Sequence, residues 1–139
     1  NISGKGMTLN VTDNNQISEL TNTIIEDYCK LDNQVHIGHN VNIQEGCLLA
    51  GGVFVGGSAI IGAYSMIAGK TDIGPHVILG SESVIAARSC VLKSLDGGQM
   101  YAGNPARPIK EKQKRDAVFT RLELLEKRLK KNDTKTKNN

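Results

Sequence analysis

The stretch Ile25-Glu26-Asp27-Tyr28-Cys29-Lys30-Leu31-Asp32-Asn33-Gln34-Val35-His36-Ile37 sets a register of six that the chain then keeps without interruption. The sixth residues run Ile25, Leu31, Ile37, Ile43, Leu49, Val55, Ile61, Ile67, Ile73, Leu79, Ile85 and Val91, all aliphatic. Four residues after each of the first eleven comes a small or β-branched side chain, from Cys29 and Val35 to Ser83 and Ser89. Neither the helical period of roughly 3.6 nor the strand period of about 2 produces a strict six. A hexapeptide period predicts a parallel β-helix, in which each hexad makes a short strand and a corner and three hexads close a triangular coil. The expected fold is an all-β left-handed parallel β-helix of about four coils over residues 23–94, with a C-terminal α-helix.

Each sixth aliphatic then points into a narrow bore, and the small residue shares that interior. Successive coils stack about 4.8 Å apart, hydrogen-bonded to one another. Corners call for unusual dihedrals, and the glycines recurring from Gly38 to Gly80 are expected to supply them. A bore this thin does not by itself offset the entropy of ordering its chain. Packing of flat faces between subunits is therefore expected, in a homotrimer.

Around this block the 139 residues read as one domain. Residues 1–22 are polar and off register; Ile2, Leu9, Val11, Ile17 and Leu20 suggest a degraded coil or a capping strand. Asp96-Gly97-Gly98 signals a turn that ends the repeat, and 95–108 reads as a loop with prolines on both sides of Arg107. Residues 109–131 read as helix, with Val118, Leu122, Leu125 and Leu129 spaced as a coiled-coil seam along which three helices can meet. Residues 132–139 are polar and expected to be disordered.

The formal charge of +3 divides into −4 over residues 1–104 and +7 over 105–139, which points to an acidic partner or to solubility. Five aromatics and no recognition motif argue against nucleic acid. No apolar run approaches about twenty residues and no signal-like segment opens the chain, so no integral membrane segment is expected. The expected location is cytoplasmic, with peripheral association at the inner membrane as a further option. Three unpatterned cysteines fit a reducing compartment. Cys29 and Cys47 fall one coil apart on the inward column and read as small core residues. The first Met is Met7, so a segment upstream of Asn1 is expected.

The register also says where chemistry can sit. Hexads starting at 37, 55, 73 and 91 share one face. His39 and Gly57 are both third in their hexads and stack directly; His76 is fourth in the hexad above, two coils from His39. One face thus presents an imidazole, a bare glycine backbone and a second imidazole. A base beside an unobstructed N–H is what acyl transfer requires. The alternative is that both histidines are polar residues of a solvated corner. His36 ends its hexad, has no partner in this column and reads as an exposed or structural corner residue.

These residues carry a resemblance. Asp32-Asn33-Gln34-Val35-His36-Ile37-Gly38-His39-Asn40-Val41, with Leu49-Ala50-Gly51-Gly52-Val53 and Met66-Ile67-Ala68-Gly69, resembles the UDP-3-O-(3-hydroxyacyl)glucosamine N-acyltransferases of lipid A biosynthesis, members of the hexapeptide-repeat acyltransferases. The resemblance covers residues 20–131, including the Tyr101 to Pro105 loop and the helix. It implies transfer of a 3-hydroxyacyl group from acyl carrier protein to the 2-amino group of a UDP-3-O-acyl-glucosamine, with no metal or other cofactor. It further implies His39 as general base, Asp32 as its acidic partner, Gly57 as oxyanion donor and His76 as a second active-site histidine. Asn40, Cys90, Leu92 and Lys93 fall on substrate- and carrier-binding positions, with Cys90 standing where the family tends to be bulkier. Lys110, Lys112, Lys114, Arg115 and Arg121 are placed to attract an acidic carrier, or form a solvated helix face. The family's separate N-terminal domain and earlier coils are not in this sequence, so the chain reads as the C-terminal portion of such an enzyme or as a shortened relative.

Two other readings stay open. The Gly103-Asn104-Pro105-Ala106-Arg107 loop also resembles the segment after the last coil of hexapeptide acetyltransferases that use acetyl-CoA. A non-catalytic or zinc-dependent trimer like γ-class carbonic anhydrase is the other; His39 and His76 have the coil separation, but Ser81 stands where a third ligand is expected.

Overall fold

A computed structural model describes the backbone at residues 7–10 and 22–136 and the side chains at 22–130. Strand β1 (Met7–Asn10) is followed by β2 (Asn22–Ile25) and then by eleven two-residue strands in strict succession. These are β3 (Lys30–Leu31), β4 (His36–Ile37), β5 (Asn42–Ile43), β6 (Leu48–Leu49), β7 (Phe54–Val55), β8 (Ile60–Ile61), β9 (Met66–Ile67), β10 (Asp72–Ile73), β11 (Ile78–Leu79), β12 (Val84–Ile85) and β13 (Cys90–Val91). Each ends on a sixth aliphatic, because that residue points inward and its predecessor outward.

Every third strand pairs in parallel. The first sheet runs β2-β5-β8-β11, the second β3-β6-β9-β12 and the third β4-β7-β10-β13. In the third, Ile37 lies opposite Val55, Val55 opposite Ile73 and Ile73 opposite Val91. The result is a parallel β-solenoid of about four turns, as the period of six predicts. Of the twelve sixth residues only Ile37, in the first coil, is less than buried. The small column is interior as well: Ser65, Thr71, Ser83 and Ser89 are buried, and Thr71 Oγ1 donates to the Ala86 carbonyl at 3.1 Å. Buried hydroxyls need such partners.

Three expectations are corrected. The first concerns glycine. The fourth residue of each hexad, from Tyr28 (φ 60°) to Arg88 (φ 55°), adopts the left-handed conformation, and only Gly46 and Gly52 among them are glycine. From the second coil onward side chains there are tolerated because the fourth N–H bonds the third carbonyl one coil earlier, as Ser58 N–H does to the His39 carbonyl at 2.8 Å. A backbone fixed from outside holds a conformation that residues otherwise avoid. Most other glycines answer close stacking instead: a Cβ on Gly80 would sit 2.2 Å from the Gly97 nitrogen.

The second concerns the ends. Asp96-Gly97-Gly98 does not end the solenoid. Leu95 bridges Leu79, and β14 (Met100–Ala102) pairs in parallel with β12. β15 (Arg107–Pro108) then folds back antiparallel on β14. At the other end β1 lies antiparallel on β2, the capping strand the polar segment suggested. β1 thereby covers the edge of the first sheet, while β3 and β4 stand at the edges of the other two. Ile2, Val11, Ile17 and Leu20 lie outside the described residues.

The third concerns the helix. α1 runs Ile109–Thr136, past the expected end at 131 and into the segment expected to be disordered. Pairs Lys112–Asp116, Arg115–Glu111 and Lys130–Glu126 along its surface are each one helical turn apart. Among the described residues no helix is long and apolar enough to cross a membrane.

Cys29 and Cys47 are buried free thiols that donate to the carbonyls of Gln44 and Gly62. Burial pushes the Cys47 thiol up to about 12 from 9.0. Its folded value exceeds the unfolded one, so the linked stability is complete below pH 9.0 and drains as pH rises toward about 12. The slope reaches about 1.4 kcal/mol per pH unit. Cys47→Ser fits the column, since Ser65 occupies the next coil and bonds Gly80 as Cys47 bonds Gly62. The wild-type melting temperature should fall more steeply than that of Cys47→Ser above about pH 9; parallel curves refute the assignment.

Candidate active site

The third sheet ends at a corner where the chain turns toward the first sheet. Position by position the second residues there are Gly38, Gly56, Gly74 and Leu92, and the third are His39, Gly57, Pro75 and Lys93. The fourth are Asn40, Ser58, His76 and Ser94. The corner therefore gathers His39, Asn40, Gly57, His76, Leu92 and Lys93, with Cys90 on the adjoining strand β13.

His39 and Gly57 touch. A Cβ built on Gly57 would stand 2.5 Å from His39 Nε2 and 2.7 Å from Cε1, so the imidazole lies directly over the bare α-carbon. His39 is exposed, and among the described residues no protein group hydrogen-bonds its ring. The Gly57 carbonyl accepts from the His76 N–H at 3.0 Å, which ties the second histidine into the same column.

The Gly57 N–H has no acceptor among the described residues. The reason lies one coil below, at a residue sequence reasoning did not single out. At the corner of the first sheet two third-position N–H groups are taken by a second-position side chain of the preceding coil, whereas Ser81 N–H, above Gly62, has no acceptor among the described residues, as at Gly57. Glu45 N–H donates to Glu26 Oε2 at 3.0 Å, and Ala63 N–H to Gln44 Oε1 at 3.1 Å. Below Gly57 that position is Gly38, which has nothing to offer. A Cβ on Gly38 would lie 2.7 Å from the Gly57 nitrogen. Two glycines thus keep one amide open, and the contrast of Glu26 and Gln44 with Gly38 is the signal in the sequence.

Asp32 is not brought to His39. It follows β3 at the corner before β4, whereas His39 follows β4, so the width of the third face separates them. Its Oδ1 accepts the Asn33 N–H at 2.7 Å, and it borders an open hollow of about 510 Å³ with Lys30, Leu48, Ala50 and Met66. Asn40 Oδ1 is buried and has no hydrogen-bond partner among the described residues. His36 is corrected from a corner residue to a strand residue. It begins β4 and stacks on Phe54, ring centroids 4.7 Å apart and planes within 2°. Cys90 is held by the loop after the last coil: its N–H donates to Gly103 and its carbonyl accepts from Ala106. Among the described residues no three His, Cys, Asp or Glu side chains cluster as metal ligands.

Residues 22–57, which include both His39 and Gly57, match the family model described as Bacterial transferase hexapeptide (six repeats). No match is found among curated proteins. Among solved structures the chain is similar to a serine acetyltransferase in complex with CoA, at 22% identity over 54% of this chain and 39% of that one, TM-score 0.37. It is similar to a maltose O-acetyltransferase from Clostridium difficile 630, at 19% identity over 58% of this chain and 63% of that one, TM-score 0.35. It is also similar to PerB from Caulobacter crescentus in complex with CoA and GDP-perosamine, at 15% identity over 60% and 55%, TM-score 0.35. The chain thus spans between 39% and 63% of these proteins' lengths.

Proposed function

We propose that the chain carries the acyl-transfer site of a thioester-dependent N-acyltransferase. The donor is a 3-hydroxyacyl group on acyl carrier protein and the acceptor the 2-amino group of a UDP-3-O-acyl-glucosamine, as in lipid A biosynthesis. The observation that carries this reading is an unbonded imidazole, His39, set against an unbonded amide, Gly57 N–H. The match of residues 22–57 to a transferase family model supports it.

In this reading the amine nitrogen attacks the thioester carbonyl while His39 takes its proton. The new C–N bond leaves an oxyanion that the Gly57 N–H receives. Collapse breaks the C–S bond, and the departing thiolate takes the proton back from His39. His76 holds the pantetheine arm, Leu92 and Cys90 border the acyl chain, and Lys93 faces the pantetheine phosphate. Asn40 offers its unpartnered carbonyl oxygen to a substrate donor. Because Asp32 sits a full face away from His39 in its own chain, it serves as the acidic partner only across a subunit boundary of a homotrimer. Of the helix cations proposed to meet acyl carrier protein, Lys112 and Arg115 already face Asp116 and Glu111, leaving Lys110, Lys114 and Arg121 for that role.

A second reading, an acetyl-CoA-dependent acetyltransferase, is favoured by the Gly103 to Ala106 loop and its bonds to Cys90 at the end of the corner. Offering the protein acetyl-CoA and 3-hydroxyacyl-carrier together, with the UDP-sugar amine, separates the two by product mass. The hydroxyacyl amide is expected. An acetamide alone moves the assignment to the second reading.

A further inference from the structure

The corner between the second and third sheets stacks its third residues as Asn33, Gly51, Gly69 and Ala87, and its fourth as Gln34, Gly52, Lys70 and Arg88. The N–H groups of Gly69 and Ala87 have no acceptor among the described residues. One coil below them the second-position residues are Ala50 and Ala68, whose methyl groups cannot accept as Glu26 and Gln44 do at the first sheet's corner. Each open amide is followed by an exposed cation, and neither Lys70 nor Arg88 makes an ion pair among the described residues. Both backbones are fixed: Lys70 N–H donates to the Gly51 carbonyl and Arg88 N–H to the Gly69 carbonyl, each at 3.0 Å. The Lys70 stem lies against bare Gly52, where a Cβ would stand 3.4 Å from its Cγ. Two rungs of one kind, an amide donor and then a cation, thus stand one coil apart, about 4.8 Å.

We propose that this corner is a binding subsite for a phosphate ester. Fixed N–H groups and unpaired cations are the donors that phosphate oxygens take, and Arg88 adds a planar fork. The apolar part of the ligand has a seat beside them. Ala50 and Ala68 also line the hollow of about 510 Å³, together with Leu48 and Met66. Asp32 borders that hollow one coil below Ala50, so like charge holds the phosphate to the upper two rungs. Other open amides lack the cation: Ser81 is followed by Glu82 and Gly57 by Ser58. The subsite lies a full face from His39 within one chain and does not depend on the acyl-transfer reading.

Amide spectra of the isotopically labelled full chain test it, with inorganic phosphate and octyl phosphate as probes. Both should shift the Gly69 and Ala87 amides saturably and leave that of Ser81 in place. Octyl phosphate should bind about tenfold tighter or more, since covering two methylenes on Leu48 and Met66 supplies that factor. Equal affinities overturn the assignment to an ester. Lys70→Gln and Arg88→Gln should each weaken binding about tenfold. Ala50→Gln sets an amide oxygen under Gly69 N–H, as Gln44 does under Ala63 N–H, and should weaken binding with the melting temperature unchanged. Shifts confined to the basic residues of α1, or binding that Lys70→Gln and Ala50→Gln leave intact, overturn the subsite.

Discussion

His39→Ala should abolish amine acylation and leave the fold unchanged. The imidazole is exposed and makes no hydrogen bond to protein among the described residues. What the coil stack uses of residue 39 is its carbonyl, which accepts the Ser58 N–H at 2.8 Å and survives the substitution. The melting temperature should therefore correspond to a change within about 0.5 kcal/mol. Loss of a positioned base lowers turnover by about 10²–10⁴-fold. Steady-state kcat and a thermal melt on the same preparation check both halves. Turnover above a tenth of wild type removes His39 from the role of base.

Gly57→Ala should separate activity from stability in the same way, and Gly38→Ala should not. The methyl on Gly57 meets only the end of the His39 side chain, at 2.5 Å from Nε2, and that ring can swing aside at small cost. Swinging aside takes the base from the amide it serves, and the methyl crowds the space the oxyanion needs. A loss of about 2.7–4 kcal/mol in the transition state, or 10²–10³ in kcat, is expected. The methyl on Gly38 meets backbone: the Gly57 nitrogen at 2.7 Å, its Cα at 3.0 Å and the Gly56 carbonyl carbon at 3.1 Å. Backbone in a stacked coil has nowhere to go, so overpacking of about 1–3 kcal/mol should appear in the melt. Activity should fall as well, because the amide is covered. Full kcat in Gly57→Ala would remove the glycine amide from the mechanism.

What could be read without coordinates was whatever repeats. A strict period names the inward column, the three faces and the residues stacked on each, so His39, Gly57 and His76 could be placed together by counting alone. The same counting ran out where the period did. Leu95, Tyr101 and Arg107 continue the solenoid at irregular spacing, and only their pairing with Leu79, Ile85 and Ala102 reveals it. It also gave a false account of the corners. Glycine was assigned to the left-handed position, but Ser58, Tyr64 and His76 hold that conformation because hydrogen bonds between coils impose it.

The amino-acid order alone determined the solenoid, its number of turns and the corner on which His39, Gly57 and His76 stack, because side-chain direction in a period-six chain follows from position. Only the folded coil decided which amide is free and which carboxylate is near. Those depend on a neighbour from a different coil or face: Gly38 below Gly57, and Asp32 a face away from His39. Contacts of that kind are set by how closely one coil settles on another, a distance no single hexad encodes.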